Sequence, residues 1–228
     1  MKTFERRSAL RCALAATALA LCSAAQAQTK DHAPVALQSS TKMTQDEAQS
    51  ESWTYMKPEL DLIKYRSVIV DPTAVYSGPD AQFDGIEAVD RAKFAGMITE
   101  ALSTELAKSF PASGQPSAQT LKIRVTLLGA TKTTPGLATA SRASSVGLAL
   151  SALKSVRGKP GSLTGSLLIA VEVVDAATGE VLVAAVRRRF PDALDIPATL
   201  STAATVKAIA RDFAGDVRER LEAATTGP

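Results

Sequence analysis

Residues 121–128, Leu121-Lys122-Ile123-Arg124-Val125-Thr126-Leu127-Leu128, alternate apolar and polar side chains more cleanly than any other stretch of this chain. A period of two places Leu121, Ile123, Val125 and Leu127 on one face of a strand. A chain with such a strand must build a sheet that has a buried face, and it must lay something on that face. The preceding residues offer both parts. Residues 65–72 read as a second buried strand, with a β-branched Val68-Ile69-Val70 centre and Pro72 closing it. Residues 86–110 read as an amphipathic helix: Phe94, Met97, Ala101 and Phe110 lie near one stripe, and Ile98, Leu102 and Leu106 widen it. Glu105 falls at the edge of that stripe and is expected to point to water. Pro111-Ala112-Ser113-Gly114 ends the helix. Strand, helix, strand predicts a right-handed crossover and a parallel pair.

The second half predicts a hairpin and a closing helix. Residues 166–174 and 181–190 are strands joined by Asp175-Ala176-Ala177-Thr178-Gly179-Glu180, in which Asp175 caps the turn and Gly179 supplies a left-handed backbone. Residues 201–224 carry Val206, Ile209, Phe213, Val217 and Leu221 on one stripe, with Ser201 or Thr202 as N-cap. Residues 131–161 are rich in Ser, Ala and Gly. A weak helix over 141–153, a mobile loop and a small-residue interaction surface all fit them. The expected fold class is α+β: one domain over residues 53–224, with a mixed sheet of about four strands and two long amphipathic helices packed on it.

The first 27 residues are of another kind. Lys2, Arg6, Arg7 and Arg11 stand against the single acid Glu5, and residues 12–25 then carry no charge. That run of about 14 residues is too short for a spanning helix, which needs about 20. It ends in Ala25-Gln26-Ala27, the small-x-small pattern of signal cleavage, so residues 1–27 are expected to be a signal peptide. Arg6-Arg7 reads as its charged start rather than a twin-arginine signal. Leu19-Ala20-Leu21-Cys22 has the outline of a lipoprotein box, but Leu21 departs from the small residue required before the cysteine. Cleavage after Ala27, giving a periplasmic or secreted protein, is therefore expected. An outer-membrane lipoprotein acylated at Cys22 is the alternative. Residues 28–52 are polar and lack a clear period, and so read as a flexible tether of about 25–30 Å. The folded part is expected to begin at the aromatic run Trp53-Thr54-Tyr55.

Cleavage also changes the chemical inventory. The chain has 26 Lys+Arg and 23 Asp+Glu; without the leader there are 22 of each, so the formal charge of +3 falls to zero. A nucleic-acid-binding face, which needs a surplus of cations, is not expected. Both cysteines, Cys12 and Cys22, lie in the leader, and the single histidine is His32 in the polar stretch behind it. Disulfides, thiol nucleophiles, Ser-His-acid triads and His- or Cys-based metal sites are thus outside the expected chemistry, and no cofactor is implied. No transmembrane segment is expected after the leader.

What chemistry remains is sparse. Asp71 and Asp175 lie at predicted strand ends, where open sheets often place sites, yet turn formation already explains both. Residues 158–166 look like a phosphate loop but lack the G-x-x-x-x-G-K-[ST] order and lead into a strand instead of a helix. Ser151-Ala152-Leu153-Lys154 matches S-x-x-K without its companion motifs. Arg187-Arg188-Arg189 is the dense positive cluster outside the leader. On a strand Arg187 and Arg189 share a face and Arg188 takes the other. These three residues, with Trp53 and Tyr55, are the candidate interaction surface, for a lipid headgroup or lipopolysaccharide. The competing reading of the arginines is a charged edge strand protected from pairing.

Trp53-Thr54-Tyr55, then Lys64-Tyr65-Arg66-Ser67-Val68-Ile69-Val70-Asp71-Pro72, then Thr164-Gly165-Ser166, then Val171 to Leu182 with its D-x-x-T-G-E turn, occur in one order ahead of a closing helix. In that order they resemble the bacterial family catalogued as domain of unknown function 3313. The resemblance implies an envelope setting, often with lipid attachment, from which Leu21 departs. It implies no activity, substrate or catalytic residue. Two functions are consistent with this inventory. One is a non-catalytic binding or accessory domain for an envelope protein or a wall or membrane component. The other is an exported hydrolase using carboxylates alone, for instance on glycans.

Overall fold

The strand at residues 121–128 lies inside the sheet and pairs with more strands than any other described strand. The computed structural model describes residues 37–46, 49–135, 164–192 and 194–226, all within a unit spanning His32–Pro228. In chain order it contains β1 (Thr44–Asp46), β2 (Gln49–Met56), β3 (Ser67–Val70), β4 (Ala74–Val75), β5 (Gln82–Asp84), α1 (Ala88–Leu106), β6 (Thr120–Thr131), β7 (Ser166–Asp175), β8 (Val181–Arg189) and α2 (Thr202–Thr226). The sheet runs β1-β2-β8-β7-β6-β3, and β4 and β5 also pair with β6. Pairing is parallel between β3 and β6 and antiparallel across β6–β7–β8. The expected parallel pair and hairpin are both present.

The sheet has eight strands, not about four. β3, β4 and β5 follow one another along the same side of β6, opposite Thr120–Ile123, Thr126–Leu127 and Gly129–Thr131 in turn. Pro72, with no N–H to give, breaks the run after β3. Segments of two and three residues are too short to show a period. β1 and β2 were hidden for a different reason, since they fall in the stretch read as tether. From residue 37 that stretch belongs to the fold, and residues 28–36 lie outside the described residues. Its polar composition is that of an edge, where one face meets water.

The two faces are covered differently. On one, α1 and α2 pack over Leu121, Ile123, Val125 and Leu127 of β6 and Leu167 and Ile169 of β7. The centre of the α1 stripe is Phe94, Ile98, Leu102 and Leu106, all buried, with Met97 and Ala101 at its flank. Glu105 is not turned to water: it meets Lys108 at 2.6 Å and Arg218 of α2 at 3.5 Å. Ser201 caps α2 as expected, its hydroxyl accepting from the Ala204 N–H at 3.1 Å. On the other face, Leu168, Ala170, Val174, Ala184 and Val186 form a second core with Tyr76, Leu128 and Met43. Residues 37–43, with a short 3-10 turn at Ser40–Lys42, belong to this layer.

Gly129 lets β5 reach β6. A Cβ there would lie 2.5 Å from the Gln82 carbonyl oxygen, and backbone cannot swing away as a side-chain tip can. Just before it the register shifts, so that Leu127 serves the helix-covered core and Leu128 the second core. Gly129→Ala is expected to cost about 2 kcal/mol in urea unfolding through this overpacking. Gly96→Ala, on α1 with nothing within 4 Å of its added methyl, is expected to gain about 0.5–1 kcal/mol. Equal effects at the two sites would show that the close β5–β6 approach is not what Gly129 serves.

Candidate functional site

β8 carries the three arginines, and it is not an edge strand: β2 pairs with it on one side and β7 on the other. The edge-protection reading is therefore corrected. Arginine is tolerated here because a long stem can lie on apolar surface, such as the cross-strand neighbours Leu167, Leu168 and Ile169, while its head reaches polar groups. The expected alternation holds. Arg189 turns to the helix side, meets Asp216 of α2 at 2.5 Å and lies over the Phe213 ring, 5.5 Å from its centroid. Arg188 turns to the other side, where it donates to the Ser166 hydroxyl at 3.2 Å and to the Gln82 side-chain oxygen. Arg187 shares the face of Arg189, opposite Ser52 of β2. The three charges do not make one patch; the sheet divides them.

Trp53 and Tyr55 project from β2 onto the second core and are half-buried, opposite Val186 and Ala184. Lys42 sits over the Tyr55 ring, 5.4 Å from its centroid. The fold thus separates them from Arg187 and Arg189 by the thickness of the sheet. Ala25, Ala27 and Cys22 lie outside the described residues, as do residues 141–153, the Ser151–Lys154 motif and most of the glycine-rich stretch at 158–166.

The carboxylates of Asp175 and Glu180 are engaged in the fold. Asp175 is 6% exposed; one oxygen accepts from the Ala177 and Thr178 N–H groups at 2.9 and 3.0 Å, and the other from the Tyr65 hydroxyl at 2.7 Å. Lys64 stands 3.6 Å away. Burial alone would raise its pKa. The Tyr65 hydroxyl, the two N–H groups and the Lys64 charge outweigh burial and hold the carboxyl below the ordinary aspartate value. That is the signature of a structural anion, not of a proton donor poised near neutrality. Glu180 pairs with Lys57 at 2.6 Å. Asp71 follows β3 and its N–H donates to the Ile123 carbonyl oxygen, whereas Asp175 stands opposite Leu121 from β7. Two strand spacings, about 10 Å, separate their lanes, and Asp175 is already committed to its turn and to Tyr65.

Two features lie outside the expectations drawn from the sequence. The first is a groove of about 620 Å3 between the helices, lined by Met97, Ala101 and Thr104 of α1 and Lys207 and Ala208 of α2, with Asp195 at its rim. The second is Glu172, 6% exposed on the second face, which accepts from the Ser39 N–H at 3.0 Å and hydroxyl at 2.7 Å. Arg124 reaches it at 3.5 Å. Among the described residues no group of three or more His, Cys, Asp or Glu side chains could hold a metal ion, and no helix is long and apolar enough to cross a membrane.

A mixed sheet with two helices on one face and the chain's own N-terminal segment on the other defines an α+β protein in which the Asp175 carboxylate serves the β7–β8 turn. The chain belongs to the family described as protein of unknown function DUF3313, which matches residues 36–217. That span begins where the described N-terminal segment begins, ahead of Trp53. No curated protein matches the chain. Among solved structures it is similar to the PelC dodecamer from Paraburkholderia phytofirmans, at 13% identity and a TM-score of 0.39, covering 75% of this chain and 96% of that one. A DUF4136 family protein from Bacteroides thetaiotaomicron is similar at 13% identity and a TM-score of 0.35, covering 76% of this chain and 97% of that one. A neuraminyllactose-binding hemagglutinin homolog from Helicobacter pylori follows at 8% identity and a TM-score of 0.30, covering 72% and 84%.

Proposed function

We propose that the protein is exported to the cell envelope and works there as a non-catalytic binding or accessory domain, for an envelope protein or a wall or membrane component. Two lines of support meet here. The leader, with Lys2, Arg6, Arg7 and Arg11 ahead of an uncharged run and Ala25-Gln26-Ala27, directs export. The observation that carries the binding role is Arg187 in the folded unit. Asp175 and Glu180 are tied to Tyr65 and Lys57, while Arg187 is held on a paired strand with neither acceptor nor carboxylate among the described residues. A rigidly held cation without a counter-charge is a recognition element.

The first experiment is the intact mass of the protein recovered from its own envelope. A species that starts at Gln28 is expected and places it free in the periplasm or medium. A species that starts at an acylated Cys22 keeps the envelope role and moves it to a membrane surface. A cytoplasmic species retaining Met1 would remove the proposal.

A further inference from the structure

Arg187 and Ser52 face each other directly in the β2–β8 pairing, on the helix side of the sheet. Side chains so placed have Cβ atoms about 4.5–5.5 Å apart. Ser52 is 1% exposed and its hydroxyl has no hydrogen-bond partner among the described residues; the Arg187 Nε is buried and also lacks one there. Buried polar groups are nearly always paired, so a buried hydroxyl and a buried guanidinium nitrogen that face each other unpaired are an exception, although the rest of the half-buried Arg187 side chain still reaches water. Among the described residues nothing adjacent supplies the anion. The other cross-strand neighbour of Arg187 is Ile169. The nearby Asp216 carboxylate is held by Arg189 at 2.5 Å.

We propose that Arg187 and Ser52 form an anion site for a phosphate group, borne either by a lipid headgroup or by a small soluble compound. This gives a ligand chemistry to the binding role above and rests on it. The guanidinium fork matches two oxygens of a tetrahedral anion, and the serine hydroxyl donates to a third. A carboxylate has only two oxygens and would leave one of these donors unmet. Arg189, two residues along on the same face and so about 7 Å away, adds positive potential without needing to release Asp216. Both donors are on paired strands, so little ordering is required on binding. Along the same face of β2 the chain continues through half-buried Thr54 to Met56, 68% exposed, which gives the apolar part of a ligand a surface to lie on.

The test is thermal unfolding of the purified protein with and without saturating inorganic phosphate, at matched ionic strength with chloride. A rise in Tm of about 4 °C is expected for the unchanged protein. Arg187→Met keeps the length of the stem and removes the uncompensated charge. It is expected to unfold no lower than the parent in chloride and to show no rise with phosphate. Ser52→Ala is expected to lose at least half of the rise, and it carries the test alone if Arg187→Met does not fold. Arg211→Gln, in the groove between the helices, is expected to keep the full rise. No rise in the parent, or an undiminished rise in Arg187→Met or Ser52→Ala, overturns the proposal. Flotation with phosphatidylcholine vesicles that do or do not contain phosphatidic acid separates the sources. Capture by phosphatidic acid that Arg187→Met abolishes assigns a headgroup; a Tm rise without capture assigns a soluble phosphate compound. A failed phosphate test leaves the intact-mass result untouched, so the site and the envelope role stand or fall separately.

Discussion

Asp175→Ala is expected to lower the unfolding free energy by about 3 kcal/mol, enough to be read directly as a shift in the urea midpoint. The substitution strands three donors at once: the Tyr65 hydroxyl in a buried position and the Ala177 and Thr178 N–H groups of the β7–β8 turn. It also leaves Lys64 without its nearest carboxylate. Asp175→Asn keeps an acceptor and is expected to cost about half as much. The pH dependence has a fixed sign. Because the folded pKa of Asp175 lies below its unfolded value of about 3.9, its stabilisation is fully present above that value and is lost as pH falls through the folded pKa. The gap between parent and Asp175→Asn should therefore be constant from pH 5 to 8 and close in acid. A gap that widens on acidification would mean that Asp175 is neutral in the native state.

This residue also shows what the sequence could and could not reveal. Its turn role was legible, because D-x-x-T-G-E between two alternating strands leaves few other conformations, and Gly179 indeed has φ of 75°. Its partner Tyr65 was not, since nothing local links two residues that the sheet brings together from β7 and the segment before β3. The same division runs through the fold. β6, β7, β8 and both helices announce themselves by period, having one face fully buried. β1 and β2 do not, and with them went the register that sets Ser52 against Arg187. The arginine cluster was visible as charge, and its split between two faces as alternation, but only the strand order shows that it lies inside the sheet. Glu172 did leave a signal. It shares parity with Leu168, Ala170 and Val174, so an acid stands in a row that is otherwise apolar. Such a break in an alternating strand implies either a second, wet face or a buried partner; Ser39 and Arg124 make it the latter.

Glu172→Ala is expected to detach residues 37–43 from the second face and to cost about 3 kcal/mol overall. Ser39 is fully buried and gives both its N–H and its hydroxyl to this carboxylate, while Arg124 approaches the other oxygen and also donates to Gln38 at 2.7 Å. Removing the acceptor leaves a buried N–H, a buried hydroxyl and a half-buried guanidinium, and nothing in the Leu168–Ala170–Val174 row can replace it. Ser39→Ala deletes one donor and keeps the N–H bond, so it is expected to cost only about 1 kcal/mol. The two losses should not add, because the hydroxyl bond is counted in both; a double-mutant cycle is expected to show coupling of about 1 kcal/mol. Hydrogen exchange locates the effect. In Glu172→Ala the amides of residues 39–43 should exchange much faster, while those of β6 and β7 change only with global stability. Release of the segment also uncovers Leu128, Ala170, Val174 and Ala184, so binding of a hydrophobic dye is expected below the unfolding transition. Unchanged exchange at residues 39–43 would mean that Met43 and Leu37, packed against the second core, hold the segment without the carboxylate. The polar residues read as tether would then owe their place to apolar contact alone.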